Sequence, residues 1–305
     1  MKAAVIGVGH LGRHHARILA SMPGVTLAGV VDVDVRRADE IARECGTIAV
    51  GDPREIAGLE LAVIAAPTES HAAIALPLVN AGVHTLVEKP VTQTLAQADE
   101  LIAAARHSGA VLAVGHSERF NPAVAAARPY VSDPRFIEVH RLGTQLGRSL
   151  DIDVVLDLMI HDLDLLLSLV PSEVESVEAV GVPVLTPKID IANARVRFRN
   201  GCIANLTASR ISKDQVRKMR FFQRERYVSI DTAAREVEVF QLVPQPGDMP
   251  KIGGGKVAVS GDEPLKRELD DFVAAVRERR APAVPGEQGR AALALAVKIV
   301  ELMKQ

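Results

Sequence analysis

The start of the chain constrains its fold more than any other stretch. An apolar run, Ala3-Ala4-Val5-Ile6, breaks into Gly7-Val8-Gly9-His10-Leu11-Gly12, and a helix-forming stretch of Arg, His, Ala and Leu follows. Twenty residues after Gly12, at the end of a second apolar run from Leu27 to Val31, sits Asp32. Each part has a physical task in cradling a dinucleotide. Gly7 permits a tight strand-to-helix turn, and Gly9 lets backbone N–H groups reach a pyrophosphate that a Cβ would hold off. Gly12 lets the helix pack on the strand, with the positive end of its dipole at the phosphates. Asp32 accepts hydrogen bonds from the adenosine ribose hydroxyls and repels a 2′-phosphate, which favours NAD over NADP.

Bulk properties exclude several classes. A chain of 305 residues exceeds one ordinary core and suits two domains. A formal charge of −2 leaves no basic footprint for nucleic acid. Cys45 and Cys202 match no metal or redox spacing, which suggests a reducing compartment and no metal centre. The chain enters a strand at once, leaving no room for a signal peptide. The longest apolar stretch, Val154 to Val170, carries Asp157, His161, Asp162 and Asp164, too many polar groups for a membrane span. The expectation is a cytoplasmic protein with neither membrane nor nucleic acid as partner.

Apolar periodicity then sets the organisation. Val35 to Glu44 reads as a helix, Leu61 to Ala66 as a buried parallel strand ended by Pro67, and Ser70 as the cap of a helix reaching Asn80 and kinked by Pro77. Val83 to Glu88 and Ala110 to Gly115 are further strands, with a helix from Leu95 to His107 between them. Strands without polar alternation, separated by helices, make a doubly wound parallel sheet over residues 1–118, an α/β arrangement. Its ligands belong beyond the carboxyl ends of the strands: Gly7–Gly12, Asp32, Ala66–His71, Glu88–Pro90 and Gly115–Asn121.

After that the pattern changes. Helix is expected from Asn121 to Tyr130, a strand near Phe136–Arg141, a polar loop from Gly143 to Asp151 and an apolar helix from Val154 to Val170. Strands then follow one another: Glu173–Val180, Ala192–Arg199, Cys202–Ser209, Lys218–Gln223, Tyr227–Asp231 and Val237–Leu242, with Asn200-Gly201 as a hairpin turn. A Gly- and Pro-rich loop, Pro244 to Gly255, separates them from closing helices near Pro264–Arg280 and Glu287–Lys304. Residues 119–305 therefore read as an α+β domain with an open-faced, mostly antiparallel sheet. Ile203, Leu206, Val228, Ile230, Val237 and Val239 are expected on its uncovered face, which implies a homodimer or homotetramer through the sheet.

Chemistry is expected where the two domains meet. Asp157 and His161 are one turn apart on the apolar helix, with Asp164 three residues further on. A histidine there can take a proton from a hydroxyl while Asp157 fixes it and raises its basicity. A solvated helix face or a hydrogen-bonded core histidine gives the same pattern, and the residues alone leave both readings open.

Taken in order, the Gly7–Gly12 turn, Ala65-Ala66-Pro67-Thr68-Glu69-Ser70-His71, Glu88-Lys89-Pro90, Gly115 with Arg119-Phe120-Asn121-Pro122, and Asp157 with His161 resemble the landmarks of the Gfo/Idh/MocA oxidoreductases. The resemblance covers nearly the whole chain. It implies a Rossmann domain, a nicotinamide cofactor (NAD, given Asp32) and reversible oxidation of a sugar or cyclitol secondary alcohol. By that analogy Lys89 and His161 handle the proton and Asp157 assists. The cofactor is expected at Gly7, Gly9, His10, Leu11, Gly12, Asp32, Ala66, Pro67, Thr68, His71, Glu88 and Lys89; the substrate at Lys89, His116, Arg119, Asn121, Asp157, His161 and Arg220.

The family's glycine-rich stretch before the aspartate is replaced here by Leu150-Asp151-Ile152-Asp153-Val154-Val155-Leu156, which leaves substrate identity open. Lys213, Arg217, Lys218, Arg220, Arg224 and Arg226 either hold a diphosphate or form a solvated basic face. The stretches Asp157–Val170, Ala204–Arg210 and Met219–Asp231 are similar to bacterial sugar-nucleotide dehydrogenases acting on substrates such as UDP-N-acetylglucosamine. Oxidation of a free cyclitol or aldose, or a non-catalytic NAD(P)-sensing role, are the alternatives.

Overall fold

The computed structural model describes residues 1–144, 152–245 and 248–304. It divides into two compact units: Met1–Ser117 with Glu263–Ala291, and Glu118–Asp262 with the chain from Ala292 onward.

In the first unit β1 (Lys2–Ile6), β2 (Thr26–Val31), β3 (Leu61–Ile64), β4 (His84–Glu88) and β5 (Leu112–Gly115) form a parallel sheet in the order β2-β1-β3-β4-β5. Strand order reverses direction at β1, the place where open α/β sheets bind ligands. The helices are α1 (Gly12–Ser21), α2 (Val35–Cys45), α3 (Thr68–Asn80) and α4 (Leu95–Ser108). Local chemistry sets their ends. The Asp34 side chain accepts from Arg37 N and Gly46 closes α2 in the left-handed region, while Thr94 and Gln97 form a reciprocal capping box on α4. The expected Ser70 cap is corrected: α3 begins at Thr68, directly after Pro67, and Ser70 N already donates to Pro67 O. Proline's fixed φ suits a helix entry, so the helix starts a turn earlier than the Ser signal suggested.

The second unit holds an eight-stranded sheet: β6 (Pro134–Thr144), β7 (Val174–Val182), β8 (Ile191–Phe198), β9 (Ile203–Ser209), β10 (Ile211–Gln223), β11 (Arg226–Asp231), β12 (Glu236–Gln245) and β13 (Asp248–Val257). The order is β13-β12-β11-β10-β6-β9-β8-β7, antiparallel except for β6 with β9. One face is covered by α5 (Pro122–Ala127), a π-helical turn (Val155–Met159) running into α6 (Ile160–Leu169), and the chain from Ala292.

Three expectations about these elements change. The helix foreseen over Asn121–Tyr130 stops at Ala127, followed by a 3-10 turn over Arg128–Tyr130, because Pro129 donates no N–H. The helix foreseen from Val154 opens as the π turn. The supposed loop from Pro244 contains β13, in which Gly253, Gly254 and Gly255 pair with Gln241, Phe240 and Val239. A Cβ on Gly254 would lie 2.0 Å from Val239 O, so glycine composition here reflects close strand approach. Most of the Gly143–Asp151 loop, and Leu150-Asp151 of the replaced stretch, lie outside the described residues.

Five of the six apolar residues assigned to an uncovered face are also corrected. Leu206, Val228, Ile230, Val237 and Val239 are buried in the unit's own core with Leu166, Leu169, Leu295 and Ile299. Ile203 is half-buried and belongs to the opposite face. Strand alternation puts Phe136, Phe222, Tyr227 and Phe240 on that opposite face, where consecutive rings lie 5.6, 5.2 and 6.4 Å apart.

The chain does not stay in the second unit to its end. Helix α7 (Pro264–Glu278) and the start of α8 (Gly286–Leu302) belong to the first, where Leu269, Phe272 and Val273 pack with Val5, Ile18 and Leu19. A sequence boundary at 118/119 places both helices in the second domain, because an amphipathic helix does not announce which sheet it will cover. Among the described residues, no helix is long and apolar enough to cross a membrane.

Candidate active site

In the first unit the site is built on the turn after β1. Gly7 has φ +84°, and a Cβ there would lie 2.7 Å from Ala66 N; a Cβ on Gly12 would lie 1.8 Å from Gly7 O. Glycine is therefore required at both positions by the backbone itself. Asp32 follows β2, its side chain 5% exposed. Its Oδ2 accepts from Val8 N at 2.9 Å and its Oδ1 from Asp34 N at 2.9 Å, which fixes the carboxylate across the turn. Arg37 Nη1 stands 3.5 Å from Asp32 Oδ1 and its Nη2 3.2 Å from Asp34 Oδ2, so this arginine is already paired with acids.

A cavity of about 620 Å³ opens here, lined by Gly7, Gly9, Asp32, Arg37, Ala66, Pro67, Ser70 and Pro77. The glycine turn, the fixed carboxylate and the mostly apolar walls fit the adenosine half of a dinucleotide. Asp52, Arg54, Ala73 and Ile74 line it too. Sequence reasoning passed over Arg54, which lies in a 3-10 turn and is paired with Asp52. The Asp52-Pro53-Arg54 turn signal was its available trace.

Other residues assigned to the cofactor take the following places in the fold. Thr68 is the first residue of α3. His10 lies edge-on to His14, with ring centroids 5.8 Å apart, and Leu11 is the exposed residue before α1. His71 is buried; its Nδ1 is 2.9 Å from Pro90 O and its Nε2 2.8 Å from Ala66 O, which ties the loop after β3 to the segment after β4. The Glu88 carboxylate turns inward: His15 Nε2 donates to Oε1 at 2.8 Å and Lys89 N to Oε2 at 3.1 Å. Burial pushes the Glu88 carboxyl up, but the His15 hydrogen bond and the charges of His15 and Lys89 outweigh it and hold it below the usual range. His116, expected at the substrate, is fully buried at the end of β5.

In the second unit Asp157 falls inside the π turn and His161 is the second residue of α6. Both are half-buried, whereas Leu158, Met159, Ile160 and 162–166 are buried, so the two share the open side of the helix. Inserted π turns often mark functional positions, because they re-aim side chains without ending the helix. The start of this segment is clamped. Ile189 N donates to Asp153 Oδ1 at 2.9 Å, Val154 N to Ile189 O at 2.9 Å, and Arg210 Nη2 to Ile152 O at 2.5 Å.

Asp164 does not join Asp157 and His161. Arg119 Nε and Nη2 donate to its carboxylate at 2.6 and 2.9 Å, and both side chains are buried. Arg119, expected at the substrate, is thereby committed to the helix. Arg141 grips Asp162 bidentately at 2.8 Å and reaches Glu118 at 3.0 Å. Burial disfavours the charge on Arg141, but Asp162 and Glu118 outweigh it and hold the guanidinium protonated. Asn121 caps α5, accepting from Ala123 N and donating to Glu118 and Thr232 O.

The basic segment is dispersed. Arg220 is on the aromatic face, 3.5 Å from Glu138, and Lys218 is 3.5 Å from Asp231. Arg226 meets Gln241 and Tyr130 O. Arg217 alternates onto the helix-covered face, 4.0 Å from Glu118. Arg220 and His161 therefore belong to opposite sides of one sheet.

A glycine turn holding a fixed acid at a parallel-strand end, followed in the chain by a sheet whose covering helix carries Asp157 and His161, is the pattern of a dinucleotide-dependent oxidoreductase. Residues 1–116 match the oxidoreductase family with an NAD-binding Rossmann fold, and residues 135–226 the GFO/IDH/MocA C-terminal domain. The chain belongs to this family, and is an NAD-dependent enzyme acting on CH–OH groups. It is 40% identical over 305 residues to UDP-N-acetylglucosamine 3-dehydrogenase of Acidithiobacillus ferrooxidans, covering 98% of this chain and 96% of that one. A crystal structure of that enzyme superimposes with a TM-score of 0.93 at 38% identity, covering 100% of this chain and 98% of that one. Similarity extends to the scyllo-inositol 2-dehydrogenase (NAD(+)) of Bacillus subtilis, 29% identical over 238 residues, 70% of this chain and 68% of that one.

Proposed function

We propose that this enzyme oxidises a ring hydroxyl of a nucleotide sugar, with UDP-N-acetylglucosamine the first substrate to test, and passes the hydride to NAD. The observation that carries the reading is the 40% identity to a UDP-N-acetylglucosamine 3-dehydrogenase across almost the full length of both chains. It is supported by the presence of Lys89, Asp157 and His161 in a chain whose dinucleotide turn is intact. Oxidation of an unphosphorylated cyclitol is the second reading, favoured by the 29% identity to an inositol dehydrogenase.

The carbinol carbon loses its hydrogen as hydride and its hydroxyl loses a proton. When bound at the Gly7–Gly12 turn and Asp32, NAD would supply the hydride acceptor. His161 takes the proton, which an imidazole does near neutral pH without a metal. Lys89 donates to the same oxygen and offsets the negative charge that grows on it. Asp157 holds the imidazole in position and stabilises its protonated form. The same reading makes the chain a homodimer or homotetramer assembled through the sheet of the second unit.

The test follows NADH absorbance with UDP-N-acetylglucosamine, UDP-glucose, myo-inositol and free hexoses. UDP-N-acetylglucosamine is expected to give the highest kcat/KM. A higher value with myo-inositol replaces the first reading with the second.

A further inference from the structure

Three buried polar side chains with no direct part in the proposed reaction stand together in the first unit. His15 comes from α1, Glu88 from the end of β4 and Glu268 from α7; they are 0%, 6% and 2% exposed. One nitrogen or oxygen from each lies within 4.8 Å of the others. Two carboxyl groups and an imidazole lose their hydration in such a small dry volume, so the arrangement costs free energy that apolar side chains would avoid. One member, Glu88, is the chain neighbour of Lys89 and accepts its backbone N–H.

The connections show what the cluster joins. An ionised carboxylate can only accept, so His15 Nε2 carries a proton and donates it to Glu88 Oε1 at 2.8 Å. The other oxygen of Glu88 accepts the Lys89 backbone N–H at 3.1 Å. His15 lies three residues into the helix that opens at Gly12. Helix α1, whose N-terminus faces the dinucleotide turn, is thus linked through two hydrogen bonds to the residue that handles the substrate proton. Glu268 adds a second buried carboxylate from a segment far along the chain, on a helix whose apolar side is fixed in the core by Leu269, Phe272 and Val273.

We propose that Glu88 is a positioning residue for Lys89, held by His15 and backed by Glu268, so that one carboxylate sets both the backbone geometry of Lys89 and the negative potential around its ammonium. The inference rests on the reading of Lys89 as a proton-handling residue. Among the described residues, the titratable groups facing Glu88 are His15 on α1, Lys89 beside it and Glu268 on α7.

Glu88→Gln keeps the volume and one accepting oxygen but removes the charge. The expected result is a fall in kcat of about tenfold or more, with the basic limb of the pH–kcat profile moved to lower pH, because an ammonium with less negative charge nearby releases its proton more readily. NAD affinity is measured by calorimetry on the same preparations, and a loss of turnover fully accounted for by lost NAD binding overturns the proposal. Glu88→Asp restores the charge and is expected to return the pH profile toward wild type. If Glu88→Gln fails to fold, His15→Asn tests the other end of the link. It leaves the carboxylate in place but frees it from α1, so kcat is expected to fall without the basic limb moving to lower pH. Wild-type kcat in that variant overturns the proposal. Wild-type kcat and an unmoved pH profile in Glu88→Gln, beside a Lys89→Ala enzyme that has lost turnover, overturn this proposal alone. Wild-type turnover in Lys89→Ala overturns the reading beneath it and the proposal together.

Discussion

Asp32 performs two tasks with one carboxylate, and both bear on cofactor choice. It accepts from Val8 N and Asp34 N, which locks it in place, and it lines the cavity beside the glycine turn. Arg37, a potential partner for a 2′-phosphate, is instead drawn toward Asp32 and Asp34. Preference for NAD over NADP is expected to be at least about tenfold, about 1.4 kcal/mol, and Asp32→Ser to narrow it by removing the fixed charge. The ratio of kcat/KM values for the two cofactors measures this; equal efficiency of wild type with both contradicts it. His161→Ala and Lys89→Ala are each expected to lower kcat by about 10²–10⁴ while NAD still binds, and the double variant to fall well short of additive. A His161→Ala enzyme with wild-type turnover returns that residue to a structural role. At this scale the sequence showed residue types at strand ends but not which way each pointed. Asp32 was legible because its distance from Gly12 is fixed by one β–α–β unit. The inward turn of Glu88 and His71 and the approach of Glu268 depend on packing between segments up to 180 residues apart, as Glu88 and Glu268 are.

Elements were most legible where local chemistry and burial agree. The five parallel strands carry no polar alternation because both faces are covered, and each was found close to its expected place. Legibility failed where packing overrode composition: at the glycine-rich β13, at the π turn before α6, and in the return of α7 to the first sheet. The turn ahead of β8 shows a further device that periodicity does not signal. Asp190 Oδ2 accepts from Val184, Leu185 and Thr186 N at 2.7–2.9 Å, and Oδ1 from the Thr186 hydroxyl at 2.8 Å. Burial pushes this carboxyl up, but the donors, with Thr186 foremost, outweigh it and hold it down at about 2. Its folded value is below the ordinary 3.8, so its stabilising contribution is complete above pH 4 and is lost as pH falls toward 2. Asp190→Asn should therefore lower stability at pH 7 by about 1–3 kcal/mol, with the gap from wild type closing between about pH 4 and pH 2. Urea midpoints across that range test it; a gap that stays constant with pH removes the charge from the explanation. Because Ile189 N and O also clamp Asp153 and Val154, loosening this turn reaches the foot of the segment that carries Asp157.

At the scale of the whole molecule the question is what the second unit's sheet does with its helix-free face. Five of the six residues first assigned to that face are in the core, Ile203 being the exception, and the face is not polar throughout. Phe136, Phe222, Tyr227 and Phe240 sit opposite one another on β6, β10, β11 and β12 as a continuous aromatic row, with Phe222 37% exposed and Leu242 44% exposed further along β12. Charged neighbours along the row are already neutralised in pairs, Arg220 with Glu138 and Lys218 with Asp231, which lowers the cost of covering them. An apolar row rimmed by paired charges is self-complementary under a two-fold axis, since the same patch meets its own copy. A dimer or larger assembly is therefore expected at micromolar concentration. Phe222→Glu places an unpaired charge at the centre of the row and should shift the population to monomer, while leaving the thermal midpoint of the isolated chain nearly unchanged because the side chain lies outside the core. Sedimentation velocity on wild type and variant decides it. A wild-type monomer, or a Phe222→Glu protein that remains fully assembled, places the interface elsewhere or removes it.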